Sequence, residues 1–176
     1  MKSKRVWVAL AVAAVAAGGG ASTVLATTST GLTTTTVATA SVPPLQIRSF
    51  FRQPQTWPPT WPSSFWSALL QTHGITDLYV VDNVLAPGGT TGWHTHAGPS
   101  VIIVKSGTVT NYRAEARHCA GVDYPAGTAF VDAGGNDVHE LKNNGTVPAE
   151  TVAIQFIPHG QPRKTDLPQV PPGCQP

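Results

Sequence analysis

Three histidines are the residues best placed to do chemistry in this sequence. His94 and His96 flank Thr95. On an extended strand, residues i and i+2 project to the same face with Cα atoms about 7 Å apart, so both imidazoles can reach one ion. A third imidazole, His139, sits in Val138-His139-Glu140-Leu141-Lys142, a segment with strand character. Three neutral nitrogen donors suit a divalent transition metal (iron, zinc, manganese, nickel or copper) and suit magnesium or calcium poorly. An HxH pair alone is more often a pair of turn or surface histidines, so the assignment depends on elements that bring His139 to the other two.

Carboxylates near these residues are few. Glu140 follows His139 directly and therefore faces the other side of its strand. Asp132 and Asp137 fall in or beside the loop before His139. Asp132 reads either as a partner that orients an imidazole N–H, which metal-bound histidines usually have, or as a solvated loop acid. His73, His118 and His159 lie on predicted loops or ends and read as surface residues. His118 adjoins Cys119, but nothing nearby completes a Cys/His nucleophilic pair. The sequence has no GxSxG elbow, phosphate loop or dinucleotide fingerprint.

The elements that must position the histidines read as strands. Asp77 to Leu85 is rich in β-branched and aromatic residues and stops at Pro87-Gly88-Gly89. Val101 to Lys105, the Ser106-Gly107 pair and Thr108 to Tyr112 read as a hairpin. Thr128–Asp132, Val138–Lys142 and Glu150–Ile157 follow, separated by Gly, Asn or Pro. Short strands at this spacing, with almost no helical periodicity, predict an all-β sandwich or closed barrel. Before them, 27–42 is a Thr-rich stretch without charge or apolar period and reads as a flexible linker. Residues 43–74 are rich in Pro, Trp and Phe. Trp57-Pro58-Pro59-Thr60-Trp61-Pro62 cannot run a helix, the aromatics are expected to pack on the barrel, and Ser64 to Thr72 is expected to form one short helix. Residues 161–176 are a proline-rich C-terminal tail.

The N-terminus reads as a secretory leader. Lys2, Lys4 and Arg5 precede an apolar run, Val6 to Ala17, and Val24-Leu25-Ala26 fits the small-x-small cleavage rule. Cleavage there makes 1–26 a signal peptide and Thr27 the mature start. Ala38-Thr39-Ala40 is a second candidate site, and an uncleaved membrane anchor is the competing reading. Of eleven Lys/Arg in the whole chain the leader holds three, which leaves eight against nine Asp/Glu in the mature protein. That balance offers no basic stripe for nucleic acid and no cationic surface for a membrane after cleavage. The expected partner is a small molecule. Two cysteines, Cys119 and Cys174, in an exported chain read as one disulfide tying the tail to a barrel loop. A metal-binding or catalytic thiol is the alternative, which the lack of a CxxC spacing disfavours.

Two stretches together resemble the cupin family. Pro87-Gly88-Gly89-Thr90-Thr91-Gly92-Trp93-His94-Thr95-His96-Ala97-Gly98-Pro99-Ser100, with Gly107 after six more residues, resembles the first cupin motif. Gly127, then Ala133-Gly134-Gly135, His139 and Asn143 resemble the second. The likeness covers 75–157, about half of the precursor. It implies a single jelly-roll β-barrel over 75–160 with a metal inside its mouth, with His94, His96 and His139 as ligands and Asn143 as a turn residue. It also implies that two copies pair as a homodimer. The sequence departs from the pattern where the family's glutamate ligand falls on Ser100, with Val101 as the alternative count. Ala133 stands for a motif proline, and one extra residue separates Gly135 from His139.

A three-histidine site is then the expectation, with an open side for water or substrate. Ser100, pointing inward in the ligand's place, can hydrogen-bond a metal-bound water. Ile102 and Val104, in phase with Ser100, are expected to line the pocket with apolar surface. Two functional classes stand side by side. One is an exported, metal-dependent enzyme of oxygenase or isomerase type acting on a small organic molecule. The other is a non-catalytic protein of the cell envelope that binds a small molecule or metal. No residue is identified as a general base.

Overall fold

The computed structural model describes residues 27–52 and 65–174. The leader 1–26 and the Trp57–Pro62 stretch lie outside the described residues. The described residues form twelve strands: β1 (Thr30–Val42), β2 (Gln46–Arg52), β3 (Phe65–Gln71), β4 (Thr76–Thr90), β5 (His94–Thr95), β6 (Ser100–Ser106), β7 (Thr108–Arg113), β8 (Gly121–Pro125), β9 (Ala129–Asp132), β10 (His139–Lys142), β11 (Ala149–Pro158) and β12 (Thr165–Asp166). Ten of them form one antiparallel sheet that curls into a nearly closed barrel, in the order β12-β5-β10-β4-β11-β6-β9. β1 attaches to β4, and β7 joins β10 to β8. This is the all-β barrel architecture that the sequence predicts.

Period-two alternation sets the inside of the barrel. In β11, Ala149, Thr151, Ala153, Gln155 and Ile157 face inward, and in β6 Ser100, Ile102 and Val104 do the same. Val81, Leu85, Ile102, Val104, Val109, Phe130, Leu141, Ala149 and Ala153 form the main core. Trp93 heads a second cluster with Cys119 and Cys174, against which Leu167 and Val170 of the tail pack.

β4 does not stop at Pro87-Gly88-Gly89 but runs through them to Thr90, and four further local expectations differ from the structure. First, Val101–Tyr112 is not a hairpin: β6 pairs with β11 and β9, whereas β7 pairs with β10 and β8. Gly107 is a corner between them. Its φ of +69° suits glycine, and a Cβ there would sit 2.7 Å from the Pro148 carbonyl oxygen. Second, the Thr-rich segment is not a free linker. β1 runs antiparallel to β4 from Leu32↔Leu85 to Val42↔Thr76. Threonine is β-branched and fits an extended ladder. Because nearly every β1 residue is exposed, the strand carries no apolar period to announce it.

Third, Phe65–Gln71 is a strand, not a helix, and pairs with β2 from Arg52↔Phe65 to Gln46↔Gln71. Cross-strand pairing of Ile47 with Leu70 and Phe51 with Trp66 overrides the weak local helix preference. Fourth, the aromatics of this hairpin do not pack on the barrel as expected: Phe51 is 58% exposed and Trp66 56%.

Cys119 and Cys174 are joined in a disulfide with 5.2 Å between Cα atoms. A disulfide points to an oxidising, extracytoplasmic environment. Among the described residues, no helix is long and apolar enough to cross a membrane.

Candidate metal site

The site is assembled from three strand segments. β10 lies beside β5 with His139 and His94 as direct cross-strand partners. On the other edge of β5, Thr165 and Asp166 of β12 pair with Thr95 and His94. His96 follows two residues after His94 on the same face, as the spacing predicts. All three imidazoles are buried, and their ring centroids are 4.4 to 5.5 Å apart.

A backbone carbonyl holds each ring. His94 Nδ1 donates to the Gly92 carbonyl at 2.8 Å, His139 Nδ1 to the Asp137 carbonyl at 3.1 Å, and His96 Nδ1 to the Arg163 carbonyl. A carbonyl oxygen can only accept, so every Nδ1 carries a proton, and in the neutral ring Nε2 is then the nitrogen with the lone pair. This is the arrangement expected of metal-binding histidines, whose second nitrogen is fixed by a hydrogen bond. One potential donor atom from each residue lies within 4.8 Å of the other two. An ion bound at about 2.0–2.1 Å holds neighbouring nitrogens roughly 3 to 4 Å apart, so small side-chain rotations close the site.

The holding residues are themselves fixed. Gly92 has φ +65°, and a Cβ on it would sit 1.9 Å from the Thr27 carbonyl oxygen. The Thr27 hydroxyl and amide reach the Leu167 carbonyl, and the hydroxyl also reaches the Trp93 carbonyl. Thr91 Oγ1 accepts the Leu141 N–H at 2.9 Å, tying the HxH segment to β10. Asn143 does the work of a turn residue: its Nδ2 donates to the Leu85 and Val147 carbonyls and its Oδ1 accepts from Gly145 N–H.

Burial sets the electrostatics. It holds the His94 imidazole down to about 2, with the neighbouring His139 adding to the effect. Burial also holds His96 down to about 4, against the opposing hydrogen bond to the Arg163 carbonyl. Both rings are therefore neutral and ready to bind metal at physiological pH.

A cavity opens beside the imidazoles. Ser100 and Ile102 line it, together with Thr151, Gln155, Arg163 and Lys164. Val104 does not line the cavity. Two residues further along β6, it is buried in the main core with Phe130 and Val109. Ser100 Oγ accepts a hydrogen bond from Gln155 Nε2 at 3.2 Å, and Gln155 Oε1 accepts one from Arg163 at 3.0 Å. Sequence reasoning missed Arg163 and Lys164, because the expected disulfide ties the tail to the barrel without marking where these two side chains reach.

The carboxylates divide sharply. Glu140 is occupied by the Thr90 hydroxyl and Lys142, away from the imidazoles. Asp137 accepts from Arg113 and from Ala133 N–H. Asp132 is neither solvated nor on a loop: it ends β9 and is 2% exposed. Its Oδ1 accepts from Gly134 N–H at 2.8 Å, while Oδ2 lies 3.3 Å from His96 Nε2 and 3.7 Å from His139 Nε2.

No family model matches the chain, and no curated protein matches it. Solved structures similar to it include proteins described as having a double-stranded β-helix domain or as belonging to the cupin superfamily. One is a conserved protein with a double-stranded β-helix domain from Klebsiella pneumoniae, 21% identical, with 51% of this chain covering 74% of that one at a TM-score of 0.44. An oxalate oxidase is 22% identical over 50% of this chain at a TM-score of 0.43, and the match spans 45% of that protein's length. A polyketide cyclase from Streptomyces resistomycificus is 16% identical over 55% of this chain and 65% of its own, with a TM-score of 0.44.

Proposed function

We propose that this cupin-fold barrel is an exported protein that holds one divalent transition metal through His94, His96 and His139 and presents it to a small organic molecule in the adjoining cavity. The observation that carries the reading is the shared tautomer. Three backbone carbonyls take three Nδ1 protons, so that in the neutral rings the three Nε2 atoms are the free donors of one buried cluster. Three neutral nitrogen donors gathered within 4.8 Å of one another in a buried cluster favour a transition-metal cation. Such a metal supplies Lewis acidity or an oxygen-binding centre when bound. The chain's own residues orient the ligand: Ile102 gives apolar contact, and Ser100, Gln155 and Arg163 form a hydrogen-bonded row along the wall.

Export agrees with the disulfide and with the leader-like sequence of residues 1–26. Cleavage after Ala26 leaves β1 whole, whereas cleavage after Ala40 removes most of it.

Enzymatic turnover of the oxygenase or isomerase type is the first reading of the site. A non-catalytic binding protein is the second, and one observation favours it: the residues lining the cavity include no carboxylate to act as a general base. Two measurements test these readings. Protein beginning at Thr27, made in an oxidising compartment and dialysed, is expected to keep about one equivalent of transition metal, and His94→Ala or His139→Ala to lose it. Equal metal in wild type and variants defeats the metal assignment. Oxygen consumption by the loaded protein with a panel of phenols and diketones separates the classes, since a pure binding protein consumes none.

A further inference from the structure

We infer that Asp132 is the fourth metal ligand and replaces, from the neighbouring strand, the carboxylate missing at Ser100. The inference rests on the three-histidine reading above and goes one residue beyond it.

Register is the first support. β6 and β9 run antiparallel with Ser100 and Asp132 as direct cross-strand partners. Residues directly opposite one another project to the same face of a sheet with Cβ atoms about 5 Å apart. A carboxylate at Asp132 therefore serves the same interior region as a side chain at Ser100. Both are almost wholly enclosed, Ser100 at 1% and Asp132 at 2% exposure.

The second support is a partnerless atom. Asp132 Oδ1 is satisfied by Gly134 N–H, but Oδ2 is buried with no hydrogen-bond donor. Its nearest imidazole neighbours are His96 Nε2 at 3.3 Å and His139 Nε2 at 3.7 Å. In the neutral rings both nitrogens carry lone pairs, since their Nδ1 atoms donate to carbonyls. Acceptor faces acceptor, an unfavourable contact that a shared cation turns into coordination. Separations of 3.3 and 3.7 Å match those between adjacent ligands around one ion with bonds of about 2.0–2.2 Å.

Other acids are excluded by their partners. Asp137 is held by Arg113 and Ala133 N–H, and Glu140 by Thr90 and Lys142. Asp132 does not line the cavity, so coordination from its side leaves the cavity side free for a ligand.

The test is a crystal structure of the zinc-loaded protein, accompanied by cobalt(II) absorption spectra of wild type and Asp132→Asn. The asparagine keeps an oxygen for Gly134 N–H and removes the charged donor. Zinc bound to three Nε2 atoms with Asp132 Oδ2 at about 2.0–2.2 Å is the expected result, with a shifted cobalt ligand-field spectrum in Asp132→Asn. Zinc on the three histidines with Oδ2 beyond 3 Å and an unchanged cobalt spectrum overturns the fourth ligand and leaves the three-histidine site intact. Wild type that takes up no zinc overturns both.

Discussion

At the scale of single residues, the barrel behaves as a device for keeping imidazoles neutral and aimed. Burial depresses His94 and His96 to about 2 and about 4, below the ordinary value near 6.5. Between those values and 6.5 the unfolded chain binds more protons than the folded one, so stability must fall as pH falls through 6.5. Each such histidine contributes a slope of up to about 1.4 kcal/mol per pH unit. Burial raises the Asp132 carboxyl and acts in the opposite sense at lower pH. Metal-free protein is therefore expected to lose stability to urea between pH 7 and 5, and His96→Gln to show a slope smaller by about one proton. A flat profile, or an identical slope in the variant, contradicts burial as the cause. Gly92 is as demanding as any histidine. Gly92→Ala puts a methyl group 1.9 Å from the Thr27 carbonyl oxygen in a left-handed conformation, with an expected loss of at least about 2 kcal/mol in thermal or urea denaturation. Near-wild-type stability would show that Thr27 is not seated there.

At the scale of elements, the three clustered histidines were legible in the sequence and several of their supports were not. His94, His96 and His139 stand out because a two-residue spacing on a strand has one geometric meaning, and β10 next to β5 supplies the third ring. Ser100, Ile102 and Val104 share the inward face for the same reason, although Val104 is taken up by core packing. β1 was unreadable because a strand exposed on both faces leaves no period, and Thr composition alone suits linker and ladder equally. The β6–β7 corner looked like a hairpin because Ser106-Gly107 has turn chemistry, and only long-range pairing distinguishes the two. Asp132 was read from its place next to a glycine-rich loop, yet β9 places it inside the barrel, opposite Ser100. Amides of Leu32 to Val42 that bond to β4 are expected to exchange slowly with deuterium. Exchange of the whole segment at free-chain rates would restore the linker reading.

At the scale of the whole molecule, the C-terminal tail closes over the three-histidine cluster. It supplies β12 beside the HxH strand, the Arg163 carbonyl that orients His96, and two cations on the cavity wall. The disulfide Cys119–Cys174 anchors that tail across a separation of 55 residues. Closing a loop of this length stabilises the fold by roughly 3 to 4 kcal/mol. Replacing Cys174 by serine is thus expected to lower the melting temperature and to weaken zinc binding roughly 10-fold or more, as His96 loses its fixed orientation. Unchanged zinc affinity in Cys174→Ser would separate the tail from the site.

The central claim, that three imidazoles share one tautomer so as to face one ion, is tested most directly by nitrogen-15 magnetic resonance of the histidine rings. In metal-free protein near neutral pH, His94, His96 and His139 are predicted to be Nδ1–H tautomers, and their Nε2 signals are predicted to shift together and saturate at one equivalent of zinc. A proton found on any of the three Nε2 atoms before zinc is added, or signals that move independently or not at all, would contradict it.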